Sequence, residues 1–351
     1  MMKVCVQYTN ELLQKLGRKP SKSKKLVTVL KVEKILLKST RLRWMIEHGC
    51  VVTKLHGVIP AKPRRLFKGF VERMTNERRK GDADSKYAII GKMAKDVGNS
   101  ANGRTAMNKN KFKKVKFCNE VQFNRAKNNY FYYDAEAYSG DQKTIYEVVK
   151  KPKTVNQDRP IHIAASVFDD SKLKILQFYY DCVDKYVDRS DFQYMGTDTD
   201  SAYMALTDNF DKVVKPELKV EYITDRPNWF PRIDTKENEL FDKRTPGLFK
   251  VEYEGDGMVA LCSKTYFVWG GKENKISSKG LQKRRNKETL IKEKYLDCLF
   301  NKETINGINK GFRMVNKEMQ TYEQKKIGLS PVYTKGVVMD DGIHIRPIVF
   351  V

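Results

Sequence analysis

The chain is poorest in acids where it is richest in bases. Residues 1–150 hold 13 Asp and Glu against 34 Lys and Arg, and before Arg43 the only acids are Glu11 and Glu33. The six cysteines (Cys5, Cys50, Cys118, Cys182, Cys262 and Cys298) are scattered without a CxxC pair, and the four histidines are equally dispersed. Neither a disulfide framework nor a zinc site is indicated, and reduced, mostly buried thiols are expected. No apolar run reaches the roughly 18 residues that a membrane-spanning helix needs, so no membrane partner of that kind is expected. The stretch Met1-Met2-Lys3-Val4-Cys5-Val6-Gln7 lacks the apolar core and small-residue cleavage site of a secretory signal. The expected location is intracellular, with nuclear, organellar and viral or transposon settings left open. Internal repeats and long low-complexity linkers are absent as well.

What is present is 351 residues with 40% hydrophobic and 11% aromatic content and a formal net charge of +25. Such a chain buries at least one full core, which excludes a disordered basic tail. Residues 151–351 hold 34 bases against 30 acids, so nearly all the excess charge lies in the first 150 residues. That asymmetry favours a polyanionic partner, because each neutralised phosphate releases condensed counterions. Nucleic acid ranks first and an anionic membrane surface second. A short cluster such as Lys22-Ser23-Lys24-Lys25 also fits an ordinary solvated surface. Between Lys109 and Phe117, lysines at 109, 111, 113, 114 and 116 interleave with Phe112, Val115 and Phe117. This suits a strand with one wet basic face, and phosphate tracking and amphipathic packing fit it equally.

The patterning predicts an α+β fold. Residues 26–47 read as a helix, followed after Gly49 by a β-prone stretch, Val51 to Ile59, that Pro60 closes. Leu66, Phe67, Phe70, Val71 and Met74 have helical spacing and lead into Glu77-Arg78-Arg79-Lys80. After a Gly81-Asp82-Ala83-Asp84 turn, a second helix is expected from Ser85 to about Gly98, capped by Ser85 or Asp84. Lys92, Lys95 and Asn99 then share one helix face, and the two basic helices form an antiparallel unit. Leu173, Leu176, Tyr180, Val183 and Val187 mark another amphipathic helix ending before Asp191. Next come strands Phe192–Met195 and Ala202–Leu206, a hairpin with Asp198 and Asp200 at its tip. A second hairpin is expected from Leu248–Tyr253 and Met258–Trp269 around Glu254-Gly255-Asp256-Gly257. A basic segment, Lys283 to Lys287, precedes a helix running to Leu299.

Carboxylates at i and i+2 on a tight turn can face the same side and hold a hard cation such as Mg²⁺ through oxygen. Two such ions about 3.5–4 Å apart serve the entering and leaving oxygens of an in-line phosphoryl displacement. Asp198 and Asp200 also fit ordinary turn acids, and Asp-x-Asp occurs where glycosyltransferases bind metal and a nucleotide sugar. The motif alone does not select an enzyme class.

Tyr194-Met195-Gly196-Thr197-Asp198-Thr199-Asp200-Ser201, taken with Lys95-Asp96-Val97-Gly98-Asn99-Ser100-Ala101-Asn102-Gly103, resembles family B DNA polymerases. The branch it resembles is the protein-primed one of viruses, linear plasmids and self-synthesising transposons. The first segment is similar to the palm motif Tyr-x-Asp-Thr-Asp-Ser, and the second to the fingers motif Lys-x-x-x-Asn-Ser-x-Tyr-Gly. Lys264-Thr265-Tyr266 matches the Lys-x-Tyr motif that leads toward the thumb, and Thr245 to Glu252 has the look of transposon-encoded members. The resemblance covers about residues 24–351. It implies a partial right-hand polymerase: residues 1–60 the remainder of an N-terminal palm, 61–104 the fingers helices, 105–262 the palm with its hairpin, and 263–351 the thumb. It further implies template-directed DNA synthesis with Mg²⁺, dNTPs, a DNA template and primer and, in this branch, a terminal protein. Asp200 would be the principal metal ligand and Asp198 a second acid near the metals. Lys95 would hold the nucleotide's phosphates, with Asn99 and Gly103 completing the nucleotide site. Lys264 and Tyr266 would stabilise the primer strand, and Lys279 is counted with them as a DNA contact. Arg78, Arg79 and Lys92 are further phosphate contacts by charge and position.

The sequence departs from the family at three points. Asn102 stands where the fingers motif carries Tyr, so no aromatic face packs against the nucleotide there. Gly196-Thr197 alters the spacing between Tyr and Asp in the palm motif. Nothing before residue 60 resembles Asp-x-x-Ser-Leu-Tyr-Pro, the context that supplies the family's other metal-binding Asp, and there is no room for the exonuclease. The chain therefore reads as the C-terminal part of a polymerase, a truncated copy. The alternatives are a non-catalytic DNA-binding remnant and, third, a metal-dependent glycosyltransferase, against which the charge asymmetry and the 95–103 segment argue.

Overall fold

The computed structural model describes residues 2–5, 7–20, 25–28, 34–109, 112–139, 144–315, 318–342 and 344–348. The fold is α+β, with its strands divided among several small antiparallel sheets. The N-terminal part holds β1 (Met2–Cys5), α1 (Gln7–Lys15), β2 (Lys25–Thr28) and α2 (Ser39–Glu47), with β1 paired to β2. The expected helix over 26–47 is thus confined to 39–47, and its first residues are strand; residues 29–33 lie outside those described. Most of the Lys22-Lys25 cluster and Lys111 also lie outside them. Residues 51–65 carry no regular structure, and Val51, Leu55, Val58 and Ile59 are largely exposed. The strand expected at 51–59 does not form, because β-prone residues become a strand only when a neighbour completes the ladder.

The helical pair is present: α3 (Lys68–Ala83) and α4 (Ala88–Thr105) are joined by one tight turn, Ser85–Tyr87. Asp84 caps that turn, its carboxylate accepting from the Lys86 amide at 2.9 Å. Gly81 lies within α3 rather than in the turn, and this is a packing requirement. A Cβ at Gly81 would stand 3.1 Å from the Gly91 Cα and 3.0 Å from the Tyr87 carbonyl oxygen, so the helices approach to backbone contact there. Helix α4 continues seven residues past the expected end. Then come β3 (Lys114–Cys118), α5 (Glu120–Lys127), β4 (Tyr132–Ser139) and β5 (Thr144–Lys150), a sheet in the order β3-β5-β4. Helix α5 packs on one end of one face through Phe123 and Ala126 against Cys118, Tyr146 and Val148.

A long helical run follows: α6 (Ile161–Gln177), a π-helical turn over Phe178–Val183, and α7 (Asp184–Tyr186). Phe178, Cys182, Val183 and Tyr186 of this run are buried and form a core with Val214, Tyr222 and Trp229. Tyr179, on the same turn, meets Tyr194 edge-on at 5.1 Å between ring centroids. The run therefore supports the next hairpin, β6 (Phe192–Asp198) with β7 (Ser201–Leu206). Helices α8 (Lys219–Asp225) and α9 (Lys236–Asp242) lead to β8 (Gly257–Cys262), β9 (Thr265–Trp269) and β10 (Lys275–Ser277). Here the second expected hairpin is corrected. Residues 248–253 form no strand, and the chain reverses at Ser263-Lys264 between β8 and β9. Gly257 serves close packing instead, since a Cβ there would overlap the Trp269 ring. A second core joins β8 and β9 to α10 (Lys292–Phe300) and to the base of a long hairpin, β11 (Ile305–Val315) with β12 (Glu318–Leu329). The short pair β13 (Val337–Val338) and β14 (Ile345–Arg346) ends the described fold.

Candidate functional site

The tips of β6–β7 and β8–β9 meet. At the first, the Asp200 amide donates to the Asp198 carbonyl oxygen at 2.8 Å, closing the chain around Thr199. Thr199 has φ +62° and Lys264, at the second tip, φ +65°. A left-handed backbone is unfavourable for any residue with a Cβ and most of all for a β-branched one. Such conformations persist where the surroundings over-determine them, and they concentrate at working sites. What joins the tips is the Lys264 ammonium, which donates to both Asp198 carboxylate oxygens at 2.9 and 2.7 Å. The hydrogen bond it donates to Asp198, with Asp200 adding its charge, holds the Lys264 pKa above the usual lysine value. The Asp198 side chain is 19% exposed and that of Lys264 59%. Asp200 is exposed, and its carboxylate has no hydrogen-bond partner among the described residues.

Below the tips, the Tyr203 hydroxyl donates to the Tyr266 hydroxyl at 3.3 Å, with ring centroids 5.0 Å apart. Burial, then the Tyr266 hydroxyl and the charges of Asp198 and Glu252, push the Tyr203 phenol up, so it stays neutral. Glu252 is held below the usual glutamate value by its hydrogen bond to Lys250, with further attraction from Lys275 and Lys95. Tyr203 and Glu252 were not among the residues singled out from the sequence. Tyr203 was accessible from the period-2 pattern, because it lies two residues beyond Ser201, the partner of Asp198, on the same face. Glu252 carried no such signal, since it lies on an irregular segment.

The other predicted residues divide. Lys92, Lys95 and Asn99 are exposed along α4, and a Cβ at Gly103 would meet nothing within 4 Å. Asn102 is half-buried, with its side-chain oxygen lacking a hydrogen-bond partner among the described residues. Arg79 is occupied structurally: its guanidinium lies 3.7 Å over the Phe241 ring, and donates to the Phe241 carbonyl and the Thr245 hydroxyl at 3.2 Å each. Arg244 binds Asp82 at 2.5 and 2.6 Å, tying the same helix to the 236–252 segment. Arg78 sits beside this pair, and burial with the nearby Arg244 lowers its pKa. Lys279 is exposed after β10, its amide 3.4 Å from the Thr265 hydroxyl.

Asp198 and Asp200 suit Mg²⁺, which takes one or two carboxylates and fills its octahedron with water and substrate phosphates. A cation at Asp198 would compete with the Lys264 ammonium, which already bonds both carboxylate oxygens. No cluster of three or more His, Cys, Asp or Glu side chains able to hold a metal occurs among the described residues. Among those residues, no helix is long and apolar enough to cross a membrane. Comparison with protein-family models, with curated proteins and with solved structures found no match.

Proposed function

We propose that this chain is a template-directed DNA polymerase of the family B type, adding nucleotides from dNTPs to a DNA or protein-linked 3′ end. The observation that carries the reading is the Lys264–Asp198 contact. It brings a palm-like acid hairpin and a Lys-x-Tyr turn together at one point, although the residues are 66 positions apart. On this reading α3 and α4 are the fingers pair, residues 105–262 the palm, residues 263–351 the thumb, and residues 1–60 the remainder of the palm. Mg²⁺ bound at Asp198 and Asp200 would neutralise charge on the transferred phosphoryl group. Lys95, exposed on α4, would attract the triphosphate, and a flexible ammonium can follow charge onto the departing pyrophosphate. Tyr203 and Tyr266 hold the two hairpins in register beneath the acids. Lys264 restrains Asp198 until a cation or a primer phosphate competes for one partner of the pair.

The second reading is a DNA-binding protein that does not catalyse, favoured by Asn102 at the position of the family's tyrosine. Primer extension with Mg²⁺ and dNTPs separates the two. Wild-type protein should extend, and Asp200→Ala should extend about 100-fold more slowly or worse, as expected when transition-state charge stabilisation is removed. Equal extension by both proteins would refute the role of Asp200. No extension by either, with DNA binding retained, would establish the second reading.

A further inference from the structure

We propose that the β3-β5-β4 sheet carries a binding site for single-stranded nucleic acid, separate from the paired hairpin tips. The register sorts its side chains by charge. Lys114 pairs with Lys150, and Lys150 with Tyr132, so these share a face with Lys116. Glu147, paired with both Phe117 and Glu136, lies on the other. Helix α5 packs on the Cys118, Tyr146 and Val148 end of the lysine face, and Tyr132 and Ala135 pack against the same cluster. The uncovered end is a cleft of about 480 Å³ bounded by Lys114, Lys116, Lys150, Lys151, Lys153 and Phe131. None of these five lysines pairs with a carboxylate among the described residues. The five lysines bound one cleft, and a run of phosphates laid there would neutralise them with release of counterions.

A second cleft of about 420 Å³ shares Lys114 and adds Arg104, Phe112, Lys113 and Arg159. The Arg159 Nε is buried and has no hydrogen-bond partner among the described residues; its closest carboxylate, Asp158, is 3.6 Å away. The two clefts meet at Lys114, and in the second Lys109 pairs with Asp158.

Aromatic rings decide between single and double strand. Phe112 is 55% exposed, and Tyr130, 93% exposed, stands edge-on to Phe131 with centroids 5.3 Å apart. Phe131 is fixed beside the lysines because the Lys151 amide donates to its carbonyl at 2.8 Å. Exposed rings beside unpaired lysines suit bases whose faces are free to stack, and a duplex hides those faces.

The test uses the whole chain and a labelled oligothymidylate, without Mg²⁺ or dNTPs, so failure of primer extension does not bear on it. The combined variant Lys114→Glu, Lys150→Glu, Lys153→Glu should bind at least tenfold more weakly. Neutral Gln substitutions at the same positions should lower the log-affinity against log-salt slope by about 2, the share of three phosphate contacts on a single strand. If the variants misfold, lysine acetylation of wild-type protein gives the answer alone. The oligonucleotide should protect Lys114, Lys150, Lys151 and Lys153, and an equal length of duplex should protect them less. Unchanged affinity and slope in folded variants, or no protection of these lysines, would overturn the proposal. Protection by duplex as strong as by single strand, or protection only by phosphatidylserine vesicles, would also overturn it.

Discussion

Asp198 is the residue on which the proposed site turns, because on that reading one carboxylate serves both Lys264 and a cation. Exposed ion pairs are weakened by solvent screening, so Lys264 is a restraint that a divalent ion can displace. Replacing Lys264 with Met should therefore tighten Mn²⁺ binding by up to about fivefold, measured by calorimetry in the absence of DNA. The same variant should lose primer extension, since Lys264 is also the proposed primer contact. Unaltered Mn²⁺ affinity would show that the ion and Lys264 do not compete for Asp198. The sequence made Asp198, Asp200, Lys264 and Tyr266 legible through their motifs. It could not show that Lys264 reaches Asp198, because that depends on two turns whose left-handed residues, Thr199 and Lys264, are not the glycines that usually announce such a conformation.

At the scale of elements, α2 shows how a short basic helix is held. Asp169 accepts from the Lys38 amide at 3.0 Å and from Arg41 at 2.5 Å, while Asp181 accepts from Trp44 at 2.8 Å and lies 2.7 Å from His48 Nε2. His48 Nδ1 lies 2.8 Å from the Trp44 carbonyl oxygen, so both ring nitrogens face acceptors and both are satisfied only in the imidazolium. Burial lowers the His48 pKa, but its bonds to Trp44 and Asp181 outweigh burial and raise it above 6.5. A raised folded-state pKa gives stabilisation that is full below the unfolded value and lost as pH rises through the folded one. The Tm gap between wild type and His48→Gln should thus be present at about pH 5.5 and close by about pH 8.5. A gap that widens with pH would contradict the clasp. The helix pair α3–α4 and the β6–β7 hairpin were readable because periodicity and turn residues agree there. The 51–59 strand and the 254–257 turn misled for a common reason: local propensity says nothing of whether a partner strand arrives or whether a glycine is needed for packing.

For the molecule as a whole, the charge and the cores give different information. The net charge of +25 predicts that affinity for duplex DNA falls about 100-fold between about 50 and 200 mM salt, as about four phosphate contacts would produce. A salt-insensitive affinity, or none at low salt, would remove duplex DNA as the partner. The cores are separate: one around Phe178 and Tyr186, one around Phe267 and Tyr295, and a small one around Val148. Between the first two lies the junction of the hairpin tips, where Tyr203 meets Tyr266. By itself, the sequence determined the α+β class, the concentration of base in the first 150 residues, the basic helix pair and the acidic hairpin. These follow from composition and from patterns that repeat within a few residues. Only the tertiary structure decided that Lys264 sits on Asp198, that Tyr203 meets Tyr266, that Arg79 is spent on α9, and that Lys114, Lys116 and Lys150 share one sheet face beside Lys151 and Lys153. Each of these depends on which strands pair, in what register, and which chain segments meet across long sequence separations, and no local pattern encodes that.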